Sequence, residues 1–335
     1  MFFKRAHSTF GTKKNNLNFC SMTKIRFMAA LAVTAALLAS CSKNKDPKDV
    51  KIVGDIALTG EFTAYLHSNG WLESDVIGVF VESDGFPQEN LEYKPSEVLQ
   101  MVESPYVPGV FIPGDPVGNV SLTPVGTAAG FKAGEHKIYA YLPYAEGNTD
   151  YTAIPLPDLS VQNPVPDQYS PDAKYNFAYA AIEPFSEYSA AAKDFGNFKS
   201  AFVQMSVPSP EFPSGVAGKK LTKVVVSADK DIAVKKANIN ITNGEIKGEL
   251  TKSVEYVFTG EGSELQKGFF GVTAPTLYLV LCIDEEAALE TTFTFKYVVD
   301  GTEYTCSGKP VGKESPMYME GNINMYGSLE FAGGE

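Results

Sequence analysis

From Val50 onward the chain alternates apolar and polar residues with a period of two, a pattern that admits strands and few helices. Residues 77–81, 138–142, 202–207 and 223–227 carry it, separated by Gly, Pro, Asn and Asp, and 238–241, 277–283, 293–299 and 303–306 continue it. Short strands at this spacing predict β-sandwiches. Asp300-Gly301, between Val299 and Thr302, predicts a two-residue hairpin, because a type I′ turn needs two residues that tolerate positive φ. Helix-like stretches are few and short, with 96–102 and 187–194 the best.

The first forty residues do not belong to that pattern. From Met22 a short basic segment (Lys24, Arg26) leads into an apolar run of about 13 residues that ends at Leu38-Ala39-Ser40-Cys41. The run is well short of the ~20 residues a spanning helix needs. A basic start, an apolar middle and a small-residue exit to cysteine make a lipoprotein signal peptide, with Cys41 acylated and exposed as residue one after cleavage. Met1 to Ser21 reads as an upstream extension before a start at Met22. Two or three acyl chains give stable anchoring where one is marginal, so the expected location is the outer membrane, lipid-anchored at the cell surface.

With 335 residues, about two domains are expected after export. The predicted division is 1–40 extension and signal peptide, 41–49 polar tether, 50–190 N-terminal β-sandwich and 191–335 C-terminal β-sandwich. The proline-rich stretch 143–171 cannot donate a regular ladder, so it reads as an edge or long connection closing the first domain.

The formal net charge is -12, and every charged residue before Cys41 is basic, so the mature chain is more acidic still. That argues against nucleic acid and against anionic lipid as partners, since phosphate contacts need clustered Lys and Arg. Cys20 and Cys41 fall in the export region, which leaves Cys282 and Cys306 in the folded body. Two cysteines build no zinc or iron-sulfur framework; they stand either as one disulfide or as two small buried hydrophobes.

His67 and His136 are each isolated and read as surface residues, and there is no nucleophile elbow, P-loop or dinucleotide fingerprint. Asp284-Glu285-Glu286 and Glu82-Ser83-Asp84-Gly85 lack the regular oxygens of a calcium loop. The expectation is therefore no catalytic residue, no metal and no cofactor. A carboxylate pair, as in a glycosidase, has no sequence signature and stays open. A glycan-binding lipoprotein of a polysaccharide-uptake system is the alternative function; it needs exposed aromatic platforms, whereas most of the seventeen tyrosines are expected to pack across strands.

Trp71-Leu72-Glu73-Ser74-Asp75-Val76-Ile77-Gly78-Val79-Phe80 resembles the W-x-x-x-D-x-I-G-V-F segment of the fimbrillin family. Tyr139-Ala140-Tyr141-Leu142-Pro143-Tyr144 is similar to its Y-A-Y-x-P-Y strand, followed by a proline-rich stretch containing Gln162 and Gln168. Residues 198–207 and 297–306 resemble its second domain more loosely. From the residues alone, Trp71 and Phe80 are core side chains and Pro143 ends a strand.

The resemblance implies two transthyretin-like β-sandwich domains and a type V pilus subunit or anchor that joins other subunits by strand exchange in cell adhesion. In that scheme a protease removes the first strand and the C-terminal strand of another subunit fills the groove by β-augmentation. The first strand here carries Ile52, Gly54, Ile56 and Leu58; the donor-type strand carries Ile323, Met325, Gly327, Leu329 and Phe331. Gly54, Ile56 and Leu58 align with Gly327, Leu329 and Phe331.

Both arginines precede Cys41, and no lysine or arginine lies between Lys51 and Lys94. A trypsin-like enzyme therefore has no site from which to free the strand, which suits an anchor. The alternative is a stalk or tip subunit cut by another enzyme within 59–69, expected to be an exposed loop.

Overall fold

The computed structural model describes residues 51–63, 70–83, 88–106, 108–109, 111–163, 173–208, 210–258, 260, 262–268, 271–275, 277–314 and 322–323. They belong to one compact unit, Val50–Glu335. The fold is nearly all β, with sandwich-like sheets.

The largest sheet has eight strands, in the spatial order Lys193–Asn197, Leu58–Glu61, Val120–Pro124, Gln88–Pro95, Ile77–Ser83, His136–Leu142, Ala178–Phe185 and Lys199–Ser200. Every neighbouring pair is antiparallel except the first, which is parallel. Ile77–Ser83 is an almost unbroken apolar run because both of its faces are covered. Ile77, Val79 and Val81 enter a core with Trp71, Leu122 and Ile138, while Phe80 enters a second core on the other side.

That second core lies among the remaining sheets. One runs Val161–Gln162, Ser253–Val257, Lys220–Ala228, Phe293–Val299 and Thr302–Gly308. In Phe293–Val299 the residues Phe293, Phe295, Tyr297 and Val299 are buried and those between them are half-buried, so a single period-two face fills the core. It meets residues such as Ile154, Val234 and Ile239 from a three-stranded sheet, and Met205 and Leu279 from another. Replacing Phe295 by Ala is expected to cost about 3–5 kcal/mol, read as a lower urea midpoint at unchanged slope.

The Asp300-Gly301 hairpin forms as predicted, with φ of 44° and 79°. The proline-rich segment is an edge, but it serves the second core rather than the first. Ile154–Pro155 pairs with Ala233–Asn240, and the Leu156 and Leu159 amides donate to Ala237 and Val234 carbonyls. Residues 193–198 in turn contribute Phe195 and Phe198 to the first core.

Neither predicted helix forms. In 96–102 the Ser96 amide donates to Ser121 and the Leu99 amide to Trp71, so sheet-end contacts capture the backbone. In 187–194 the Lys193 amide donates to Ala57 and begins a strand. Pairing energy overrides local helix propensity in both. The α-helix among the described residues is instead Glu285–Glu290, where Asp284 Oδ1 accepts from the Glu286 and Ala287 amides. The acidic run at 284–286 is thus an N-cap and first turn. No helix among the described residues is long and apolar enough to cross a membrane.

Cys282 and Cys306 are free thiols, Cys306 buried and Cys282 half-buried. Burial pushes both up to about 11 and holds the Tyr297 phenol well above its ordinary range. These groups keep their protons in the folded state and lose them sooner in the unfolded one. The contribution of the two thiols is whole below about pH 9 and lost as pH rises through about 11. The urea midpoint is expected to fall between about pH 8 and about pH 10.5; an unchanged midpoint contradicts this.

Candidate functional site

The first strand lies inside the large sheet. Leu58–Glu61 is hydrogen-bonded on one side to Val120–Pro124, antiparallel, and on the other to Lys193–Asn197, parallel. Upstream, the Val53 and Ile56 amides donate to the Phe131 and Ala129 carbonyls, each at 2.7 Å. Ile56 and Leu58 are buried as predicted. Gly54 lies beneath Tyr188, whose hydroxyl is 2.5 Å from where a Cβ would stand. Ile52 is half exposed and lies against Gly130.

The buried face continues through Gly60 to Phe62, beyond the strand expected from sequence. A Cβ on Gly60 would sit 3.0 Å from the Phe198 ring. The Gly60 carbonyl accepts from Trp71 Nε1 at 3.0 Å, and the Trp71 ring meets Phe198 edge-on at 5.3 Å and Phe62 at 6.0 Å. This corrects the expected loop at 59–69: residues 59–61 are paired strand and Phe62 is core. Thr59 and Glu61 made the segment look exposed, but they are the outward residues of a period-two strand. Residues 64–69, with His67, lie outside the described residues.

The motif residues have structural explanations. Asp75 Oδ2 accepts from the Leu72 amide at 2.7 Å and fixes the turn that aims Trp71. Gly78 lies against the Tyr141 ring. Gln162 acts as a surrogate ladder rung: its amide oxygen accepts from Val280 N at 3.0 Å and its amide nitrogen donates to Val280 O at 2.7 Å. Gln168 lies outside the described residues.

His136 is buried, not superficial. Its ring stacks on Phe131 at 4.3 Å, Nε2 accepts from the Lys132 amide, and Nδ1 is 3.0 Å from the Gly134 carbonyl. These contacts assign a proton to Nδ1 and describe a core imidazole. Glu82 accepts from the Tyr151 hydroxyl. Among the described residues no three His, Cys, Asp or Glu side chains gather as a metal group.

At the other end of the chain, Asn322–Ile323 pairs in parallel with Gln204 and Met205. Met325, Gly327, Leu329 and Phe331 lie outside the described residues. A cavity of about 270 Å³, lined in part by Phe202, Val203, Ile246 and Cys282, opens beside the strand that receives Asn322–Ile323.

Among the described residues, exposed apolar side chains gather in two areas at opposite ends of the first strand. Ile52, Val53 and Tyr188 surround the start of the first strand. The other is the ribbon Met101–Glu103 with Phe111–Pro113, which among the described residues pairs with no other strand. It exposes Met101, Val102, Ile112 and Tyr106, the last 89 % accessible. Its loop is braced by the Gly109 amide on Glu103 Oε1 at 2.8 Å. Ser96 beside Ser121, and Leu99 beside Trp71, root the ribbon at the Gly60 end. Gly54 lies six residues upstream of Gly60, at most about 20 Å away by extended rise.

No family model and no curated protein matches the chain. Among solved structures it is similar to a candidate cell adhesion protein from Bacteroides ovatus, at 16% identity over 77% of this chain and 86% of that one, with a TM-score of 0.43. It is similar also to a candidate adhesin from Bacteroides ovatus, at 12% identity over 85% and 96%, TM-score 0.41. A fimbrial assembly protein from Parabacteroides distasonis resembles it at 12% identity over 76% and 85%, TM-score 0.33. These likenesses carry no argument for function.

Proposed function

We propose that the chain is a non-enzymatic surface lipoprotein, acylated at Cys41 in the outer membrane, that works in cell adhesion as a fimbrillin-like pilus subunit or anchor. The observation that carries this reading is the bracketed first strand. Removing residues 51–62 would leave Val120–Pro124 and Lys193–Asn197 with unpaired ladder groups around an apolar slot. Any strand filling that slot needs apolar side chains opposite Ile56, Leu58 and Phe62 and a glycine opposite Gly60, where Phe198 closes in.

The chain's own C-terminal sequence meets that requirement. Setting Gly327 on Gly60 sets Ile323 on Ile56, Met325 on Leu58 and Leu329 on Phe62. This register matches four positions and is preferred to the one that sets Gly327 on Gly54. The missing basic residues between Lys51 and Lys94 favour a retained first strand, hence an anchor that donates its C-terminal strand and accepts none. The partners are then other pilus subunits and, through the acyl chains, the membrane. The exposed ribbon at Tyr106 is the surface offered to a receptor. Glycan capture gains no support, because the exposed aromatics among the described residues, Tyr106 and Tyr188, stand at opposite ends.

Intact mass and N-terminal sequencing of the native protein test this. An anchor starts at acylated Cys41 and stays with the membrane. A chain starting beyond Phe62 in sheared filaments makes it a polymerising subunit. Deletion of 323–335 is expected to abolish association with other subunits, and normal assembly without it removes the strand-exchange reading.

A further inference from the structure

The ribbon of Met101–Glu103 and Phe111–Pro113 is exposed on both of its faces. Residues directly opposite across a ladder share a face, and successive residues alternate. Val102 therefore faces the same way as its partner Ile112, and Met101 the other way with its partner Pro113. Val102 is 44% exposed and Ile112 38% on one face, Met101 is 55% exposed on the other, and Pro113 is exposed beside it. Tyr106, in the connecting loop, is more exposed than any of them. Clustered exposed apolar side chains mark a contact site. A flat partner reaches one face of a ribbon alone; covering both faces and the loop takes a medium that surrounds it.

We infer that this ribbon is a wedge that enters the headgroup layer of a phosphatidylcholine bilayer, on a membrane other than the one that holds Cys41. The inference deepens the adhesion reading and rests on it, since the ribbon meets a second membrane only from a chain displayed at the surface. Its place in the fold agrees. The Leu99 amide donates to the Trp71 carbonyl, and Trp71 Nε1 to the Gly60 carbonyl, so the ribbon is rooted at the Gly60 end of the first strand. The tether from Cys41 enters at Lys51, before the start of that strand.

The backbone suits a site poor in water, where an unpaired amide is costly. Pro105, Pro108 and Pro113 carry no amide hydrogen. The Gly109 amide donates to Glu103 Oε1 and the Gly114 amide to the Gln100 carbonyl, each at 2.8 Å, and the Tyr106 amide donates to Ser104 Oγ at 3.3 Å. A two-stranded ribbon still has open edges, which sets its depth at the headgroups and not in the acyl core. A tyrosine, with an apolar body and a polar tip, fits that level. Charge selects the headgroup. No lysine or arginine lies between Lys94 and Lys132, whereas Glu97, Glu103 and Asp115 do, and all three are exposed. They repel an anionic surface and complement a quaternary ammonium, the outermost group of phosphatidylcholine, to which the Tyr106 ring also offers a π face.

The test sets the acylated chain in unbrominated phosphatidylethanolamine–phosphatidylglycerol vesicles and adds phosphatidylcholine vesicles whose acyl chains are brominated, so that only the second membrane quenches. Tyr106→Trp is the reporter, and the buried Trp71, the single tryptophan of the unaltered chain, is the reference. The added emission is expected to fall by roughly half, as an indole at the headgroup boundary comes within reach of the quencher, while that of Trp71 is unchanged. Brominated phosphatidylglycerol vesicles are expected to quench it at least about threefold less. Adding Val102→Ser and Ile112→Ser, both exposed, is expected to cut quenching by phosphatidylcholine to less than about a third. No quenching by phosphatidylcholine overturns the wedge and leaves a protein cleft as what surrounds the ribbon. Equal quenching by the two lipids, or quenching indifferent to the two serines, overturns it as well. Flotation of the first vesicles reads the anchor separately: a chain that leaves them overturns acylation at Cys41, and quenching of the released chain then decides the wedge.

Discussion

Gly78→Val is expected to lower the stability of the folded chain by about 3–5 kcal/mol, enough to remove a large part of what a domain of this kind has. A Cβ at Gly78 would stand 2.1 Å from Tyr141 Cε1, 2.6 Å from its Cζ and 2.7 Å from Asn90 Oδ1. The tyrosine has nowhere to go. It is fully buried and stacked between Phe80 at 5.9 Å and Phe177 at 6.2 Å. Its hydroxyl accepts from the Ala145 amide at 3.1 Å and from Asn148 Nδ2 at 2.9 Å, and has Asn90 Oδ1 and the Ala145 carbonyl within reach of its own proton. Displacing the ring combines overpacking with the loss of hydrogen bonds that tie the loop after His136–Leu142 to Gln88–Pro95. Gly118→Ala, at an exposed glycine where a Cβ meets nothing within 4 Å, is the control and is expected to change stability by less than about 0.5 kcal/mol. A midpoint for Gly78→Val equal to that of the control removes this account of the I-G-V-F segment.

What could be read from the sequence divides along physical lines. Alternation is a local signal, so Phe293–Val299 and the Asp300-Gly301 turn were legible, and the all-β class followed from them. The partner of a strand is a non-local fact. Leu58 is recognisable as buried from its sequence context, but its pairing with Val120–Pro124 and Lys193–Asn197 is not, and so Gly60 and Phe62 read as loop. Their spacing from Leu58 is two and four residues, the same period, and it was the polar Thr59 and Glu61 that hid it. His136 illustrates the same limit. Nothing in its neighbours shows that Phe131 and Phe185 will enclose it, since residue 185 is brought in by register across the sheet. In segment 187–194 three consecutive alanines favour a helix locally, while the Lys193 amide finds a better partner in Ala57. Asp284 reads in sequence only as charge, whereas its role is to cap two amides.

Trp71 helps to hold the first strand in the sheet, and Trp71→Ala is expected to cost about 3–5 kcal/mol in overall stability. The magnitude alone would not distinguish it from any large core truncation such as Phe295→Ala. The distinction lies in where the loss is felt. Trp71 is the side chain that fastens Gly60 through Nε1 and closes over Phe62 and Phe198, so its removal opens the end of the slot that holds Leu58–Glu61. Amide hydrogen exchange at residues 58–61 is expected to accelerate in Trp71→Ala by more than at Val224 or Val226. In Phe295→Ala the order is expected to reverse, because Val226 pairs directly with Phe295. Under the proposed strand-exchange reading, Trp71→Ala is also expected to bind a peptide of sequence 322–331 on mild heating, and the unaltered chain is not. Equal exchange at 58–61 in both variants would mean that the ladders to Val120–Pro124 and Lys193–Asn197 hold the strand without help. Retention would then be a property of the sheet rather than of the tryptophan at its end.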